Sequence, residues 1–141
     1  MKDIKFIIPL TPVTKKNHQE IRYRWGQDKK TGKPKKVPFI SQSEVYKRYE
    51  YEAGWYITGG VKNMKISAPI NIKCLFYMPD KRRVDLPNLL NAIDDVLVKY
   101  KIIADDNCDI IVSHDGSRVI KSSANPRTEV TISFYDREVA T

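Results

Sequence analysis

Cysteine is scarce: Cys74 and Cys108 are the two in 141 residues, far apart and without CxxC spacing. Both sit in apolar runs, so buried free thiols in a reducing compartment are expected rather than a disulfide framework or a zinc ribbon. The two histidines, His18 and His114, are equally isolated, which argues against a histidine-built metal centre. No stretch approaches the roughly 20 apolar residues that span a bilayer. The run from Met1 to Pro9 carries an acid and too few apolar residues for a signal peptide, so a cytoplasmic protein with no membrane partner is expected. Acid is also in short supply, with 17 Asp plus Glu against 25 Lys plus Arg and a net charge of +8. Such a surplus favours a polyanion, either nucleic acid or an anionic surface.

What remains is an ordinary globular composition, 41% hydrophobic and 30% charged, in a chain of single-domain length. One domain over residues 1–141 is expected, with a basic flexible arm at about 15–38. Within that arm Lys15, Lys16, Arg22, Arg24, Lys29, Lys30, Lys33, Lys35 and Lys36 face only Glu20 and Asp28. Two readings stand. The arm is a solvated hairpin tip turning at Lys30-Thr31-Gly32-Lys33, or it is mobile and follows a phosphate backbone, with Tyr23 and Trp25 able to stack on bases.

The hydrophobic pattern supplies the elements. Residues 4–8 read as a strand ended by Pro9 and Pro12. Ser41 or Ser43 would cap a helix running to about Ile57 and stopped by Gly59-Gly60. Val45, Tyr49, Glu52, Ala53 and Tyr56 fall near one face of it. Its Tyr and Trp residues are expected in the core. From Ile70 the chain alternates at period two to Met78, a strand with one face buried. Leu86, Leu89, Leu90, Ile93, Val96, Leu97 and Tyr100 form one helical stripe, with Asn88, Asn91, Asp94, Asp95 and Lys99 opposite. Residues 109–114 and 128–135 read as strands, with Asp115-Gly116-Ser117 as a turn. The expected fold is α+β, in the order β-loop-α-β-α-β-β, with a mostly antiparallel or mixed sheet packed by two helices.

Carboxylates recur in the basic chain at Asp85, Asp94, Asp95, Asp105 and Asp106. Each has a plain explanation: Asp85 as a helix N-cap, Asp94 and Asp95 as a solvated helix face, Asp105-Asp106-Asn107 as a turn. A second explanation joins them. Lys81-Arg82-Arg83 set phosphate-binding cations beside Asp85, and hard oxygen ligands without His or Cys suit Mg²⁺, with Mn²⁺ as the substitute. A metal-dependent nuclease needs this pairing of cation surface and carboxylates.

Met78-Pro79-Asp80-Lys81-Arg82-Arg83-Val84-Asp85-Leu86-Pro87-Asn88-Leu89, then Asp95-Val96-Leu97 and Asp105-Asp106, resemble the RusA family of Holliday junction resolvases. There a basic run precedes D-x-D-N-L at a helix start, D-A-L lies within the helix, and D-D follows about 20 residues on. Pro9-Leu10-Thr11-Pro12 with Asn17, and Arg127 to Ile132, resemble that family's ends. The resemblance implies a homodimeric, magnesium-dependent endonuclease acting on branched DNA, often encoded in prophages. It implies catalytic roles for Asp85, Asp106 and Asn88, with Asp85, Asp106 and Asp105 as metal ligands. DNA contacts would come from Lys81, Arg82, Arg83 and the basic residues of the arm. Pro87 stands where the family has its second aspartate, and Asn91 where it has a lysine. Two consequences are open: Glu129 or Asp105 completes the site, or the protein binds branched DNA and cleaves it weakly or not at all. A helix from Leu86 to Tyr100 spans roughly 21 Å. Six extended residues reach at most about 20 Å. Asp85 and Asp106 thus meet either by the chain folding back or across a dimer.

Overall fold

The computed structural model describes residues 2–15, 19–42 and 44–135, and the backbone alone for 19–22 and 40–42. Lys16, Asn17, His18 and the capping candidate Ser43 lie outside the described residues, as do the side chains of Arg22 and Ser41. Nine elements follow one another: β1 (Ile4–Ile8), β2 (Gln19–Gln27), β3 (Pro34–Gln42), α1 (Glu44–Tyr56), β4 (Ile70–Tyr77), α2 (Leu86–Lys99), β5 (Ile111–Ser113), β6 (Arg118–Ile120) and β7 (Arg127–Phe134). The class is α+β, with a five-stranded mixed sheet and a separate two-stranded one.

β7 is the centre of the large sheet, antiparallel to β1 on one side and to β4 on the other. The far edge of β4 is covered by two short parallel strands, β5 beside Ile70 and Asn71 and β6 beside Leu75 to Tyr77. Between them the Cys74 N–H has no strand partner. The Ser117 hydroxyl accepts it at 2.9 Å. The turn that delivers Ser117 needs Gly116, whose φ is +86° and whose missing Cβ would meet the Lys73 side chain at 2.7 Å. Asn71 clamps the same turn, its amide oxygen accepting from Asp115 N at 2.7 Å.

Alternation along the strands sends Ile70, Ile72, Cys74 and Phe76 to one face with Phe6, Ile8, Val130 and Ile132, all buried. Both helices pack there. α2 contributes Leu89, Ile93, Val96 and Leu97, and α1 contributes Tyr49 and Ala53. The opposite face, with Lys73, Leu75, Tyr77, Arg127, Glu129 and Thr131, is half-buried.

Four details differ from the sequence reading. Where the expected order had a loop, the described part of the 15–38 segment forms the β2–β3 hairpin, with Asp28 N–H donating to Lys33 O at 2.9 Å and Gly32 at φ +69° closing the turn. β6 forms a strand that its three residues were too few to signal. α1 buries Tyr46, Tyr49, Ala53 and Gly54, whereas Val45, Tyr51, Trp55 and Tyr56 are exposed, so its inward face is rotated by about one residue. Cys108 is exposed, while Cys74 is buried and its thiol is pushed well above the usual range by desolvation. Among the described residues no helix is long and apolar enough to cross a membrane.

Candidate active site

The loop after β4 carries Asp80 through Val84 and ends at Asp85, the N-cap position of α2. An N-cap aspartate normally accepts from the N–H of the second or third helical residue. The second is Pro87, which has no N–H, and the Asn88 N–H goes to the Asp85 carbonyl at 3.1 Å. The Asp85 carboxylate makes no capping bond and lies exposed, and its Oδ2 accepts from the Asn88 amide at 3.3 Å. Asp85 is thus at the cap position without being used as a cap. Beside it, Arg82 is held by Asp80 through a 2.9 Å guanidinium contact and a 2.9 Å backbone bond. These bonds keep the Asp80 carboxyl below its usual range. Lys81 and Arg83 are exposed.

At its other end α2 stops at Tyr100, Lys101 takes a φ of +55°, and the chain pairs Ile103 with Ile66 before reaching Asp105-Asp106. That corner is exposed and tied by its own side chains. Asp105 Oδ1 accepts from Asp106 N at 2.8 Å, and its Oδ2 from the Asn107 amide at 3.3 Å. These donors hold Asp105 below the ordinary carboxylate range. Asp106 moves the other way: partial desolvation raises it, and so does the negative charge of Asp105 and Asp95. Asp95 lies ten residues from Asp85, roughly 15 Å along the helix axis. Asp95 is the weakest of those influences on Asp106. Asp95 already has a partner, with Lys15 Nζ at 2.6 Å and both side chains about one-third exposed.

Two further carboxylates prove to be paired. Asp94, expected on the solvated face, is 7% exposed, and its Oδ1 lies 3.0 Å from His114 Nε2. On the helical wheel Asp94 falls only about 40° past Leu90, the edge of the apolar stripe, so a partner from the β5 end suffices to draw it inward. Glu129 accepts from Arg127 Nε at 2.7 Å, and Arg127 lies 3.7 Å over the Tyr77 ring. Glu129 is on the sheet face opposite the helices, since its strand neighbours Thr128 and Val130 are buried among them. Among the described residues no group of three or more His, Cys, Asp or Glu side chains is poised to hold a metal ion.

The Endodeoxyribonuclease RusA family model matches residues 9–133. The chain belongs to the RusA family. Similarity also extends to the "Crossover junction endodeoxyribonuclease RusA" of Aquifex aeolicus (strain VF5), 27% identical over 107 residues, covering 76% of this chain and 75% of that protein. The RusA match runs from just after β1 to residue 133, near the end of β7, so both the Asp85 loop and the Asp105-Asp106 corner fall inside it. The basic hairpin does as well. Sequence reasoning had no signal for the Lys15–Asp95 or His114–Asp94 pairs, because 80 and 20 residues separate their members.

Proposed function

We propose that this RusA-family chain is a divalent-metal-dependent endodeoxyribonuclease that resolves four-way DNA junctions as a cytoplasmic homodimer. The observation that carries the reading is the corner at Asp106. There Asp105 and Asp106 stand side by side on an exposed loop, within the stretch that the RusA family model matches, in a chain of net charge +8. Crowded carboxylates on a basic protein are relieved by a cation and repel a phosphate without one. The donors are oxygen only, which suits Mg²⁺ or Mn²⁺. Asp106 and Asp105 would hold the ion together with an Asp85 supplied across the homodimer interface, since the described residues of one chain assemble no three-ligand set. When bound, it would supply charge neutralisation at the scissile phosphate and a lowered pKa for an attacking water.

The chain's own residues set up the rest. Asn88 orients the Asp85 carboxylate through its 3.3 Å amide contact and keeps it turned from the helix cap. Lys81 and Arg83 neutralise the phosphates flanking Asp85. Arg82 contributes once Asp80 releases it. Arg24, Lys29, Lys30, Lys33, Lys35 and Lys36 on the hairpin carry backbone contacts farther out, joined by Lys16 and Arg22. Lys15, the other basic candidate, is spent on Asp95.

A second reading rests on a specific observation. Pro87 offers no ligand, and no three-ligand set is assembled within the described residues of one chain. That favours a branched-DNA-binding protein of weak or no cleavage. A labelled four-way junction and a matching linear duplex, each with and without Mg²⁺, separate the two. Junction cleavage only with Mg²⁺ supports the nuclease. Selective binding without cleavage supports the second reading, and no preference for the junction defeats both. Mixing Asp85→Asn with Asp106→Asn protein then tests the dimer: recovered cleavage means that the two carboxylates meet across the interface.

A further inference from the structure

The β2–β3 ribbon has two unlike faces. Its register pairs Tyr23 with Pro38, Trp25 with Lys36 and Gln27 with Pro34 on one side, and Arg24 with Val37 and Gly26 with Lys35 on the other. The second face covers itself: Val37 and Phe39 are half-buried, and the Arg24 guanidinium lies 5.5 Å over the Phe39 ring. The first face leaves its rings open, Tyr23 at 64% and Trp25 at 70% exposure, with Lys36 Nζ 5.7 Å over the Trp25 ring. Two large aromatics side by side on a ribbon that forms its own two-stranded sheet are an expensive arrangement without a partner.

The ribbon also indicates which partner fits. Asp28 N–H donates to Lys33 O, which fixes the alternation of the ladder. Gln27–Pro34, Trp25–Lys36 and Tyr23–Pro38 are then non-hydrogen-bonded pairs, whose side chains stand closer together and whose backbone groups point outward. On β3 two of those outward positions are proline, and Lys35 and Lys36 lie between them. An added protein strand is therefore refused along that edge. A polyanion is not. Tyr23 and Trp25 are two residues apart on one face, about 6.7 Å along the strand, close to twice the 3.4 Å stacking repeat of DNA. One base fits between two rings at that spacing.

We propose that the Tyr23–Trp25 face of the hairpin is a nucleobase-stacking wedge that takes unstacked bases at the branch point of DNA, while Arg24 and Lys35 on the reverse face follow the adjoining phosphates. This rests on the branched-DNA reading and adds the element that tells a branch from a duplex. Base–aromatic stacking is sequence-tolerant, and a continuous duplex offers few unstacked faces. Phosphate contacts supply affinity for both.

The test uses an immobile four-way junction with 2-aminopurine at the crossover, the matching duplex, and protein with Ca²⁺ in place of Mg²⁺ to hold cleavage off. Wild type is compared with Tyr23→Leu/Trp25→Leu, which keeps apolar cover on the ribbon and removes the rings, and with Tyr23→Phe/Trp25→Phe, which keeps rings. The Leu variant should bind the junction roughly 5- to 150-fold more weakly per lost stack, with duplex affinity and salt slope unchanged. It should lose the 2-aminopurine emission change that wild type and the Phe variant show. Wild-type junction preference and emission change in the Leu variant would overturn the wedge while leaving the resolvase reading intact, as would equal weakening on junction and duplex. A wild-type protein without junction preference would overturn both.

Discussion

Gly54 offers a perturbation whose sign can be reversed. It lies on the buried side of α1, where a Cβ would come within 2.5 Å of both Cζ and Oη of Tyr100 and 2.6 Å of Cε1. The Tyr100 hydroxyl donates to Glu50 O at 2.7 Å, closing α1 onto the end of α2. In Gly54→Ala the ring must shift by about 1 Å to reach normal contact, which costs roughly 1–3 kcal/mol of packing and bonding. Against that, alanine is favoured over glycine in a helix by about 1 kcal/mol. The net expectation is destabilisation by up to roughly 2 kcal/mol, or up to about 7 °C in Tm for a domain of this size. In a Tyr100→Ala background the collision is gone and only the helix preference remains. There the same substitution should stabilise by about 0.5–1 kcal/mol. The four proteins of this cycle, melted in urea and by heat, give the coupling directly. Gly54→Ala having the same sign in both backgrounds would refute the account of the α1–α2 seam.

Further expectations concern the site and the arm. Asp85→Asn and Asp106→Asn should each abolish Mg²⁺-dependent junction cleavage, with binding retained or tighter because a negative charge facing phosphate is removed; a gel assay with labelled junction decides. Because Asp106 is raised in the folded protein from its usual 3.8, its ionisation opposes folding. The stability it contributes is therefore full below 3.8 and lost as pH rises through the raised value, so metal-free Asp106→Asn should be no less stable than wild type at neutral pH. Neutralising Lys29, Lys30, Lys33, Lys35 and Lys36 together should weaken DNA binding and flatten its salt dependence, by roughly 0.9 in slope per lost duplex contact. Pro87→Asp should raise cleavage by restoring a carboxylate near Asp85. Pro87→Ala, which restores only the N–H that could cap onto Asp85, should not, and equal rates in the two would assign any gain to the backbone.

Much of this protein is local and therefore legible in the residue order. The alternation from Ile70 fixes β4 and its buried face, because side chains on a strand point to opposite sides. The Leu86–Leu97 stripe fixes α2, and the basic run, Asp85 and the Asp105-Asp106 doublet mark the family without any coordinates. A strand of three residues such as β6 carries no period, and it exists because β4 offers it an open edge. The basic hairpin was ambiguous for a related reason: its cross-strand pairs bury little, so its pattern does not resemble that of a core strand.

Tertiary structure alone decided which carboxylates meet. Asp94 and Asp95 are adjacent in the chain, yet one is drawn inward to His114 and the other to Lys15, because 100° of helix rotation separates their environments. Asp106 belongs to a loop, and the charges its carboxyl feels, Asp105 first and Asp95 least, are set by where that loop lies. Glu129, equally acidic in the sequence, is on the opposite face of the sheet with Arg127. Residue type declares what a side chain can ligate. Which side chains share a volume depends on chain reversals, such as the one at Lys101, that bring remote residues together through backbone geometry and packing.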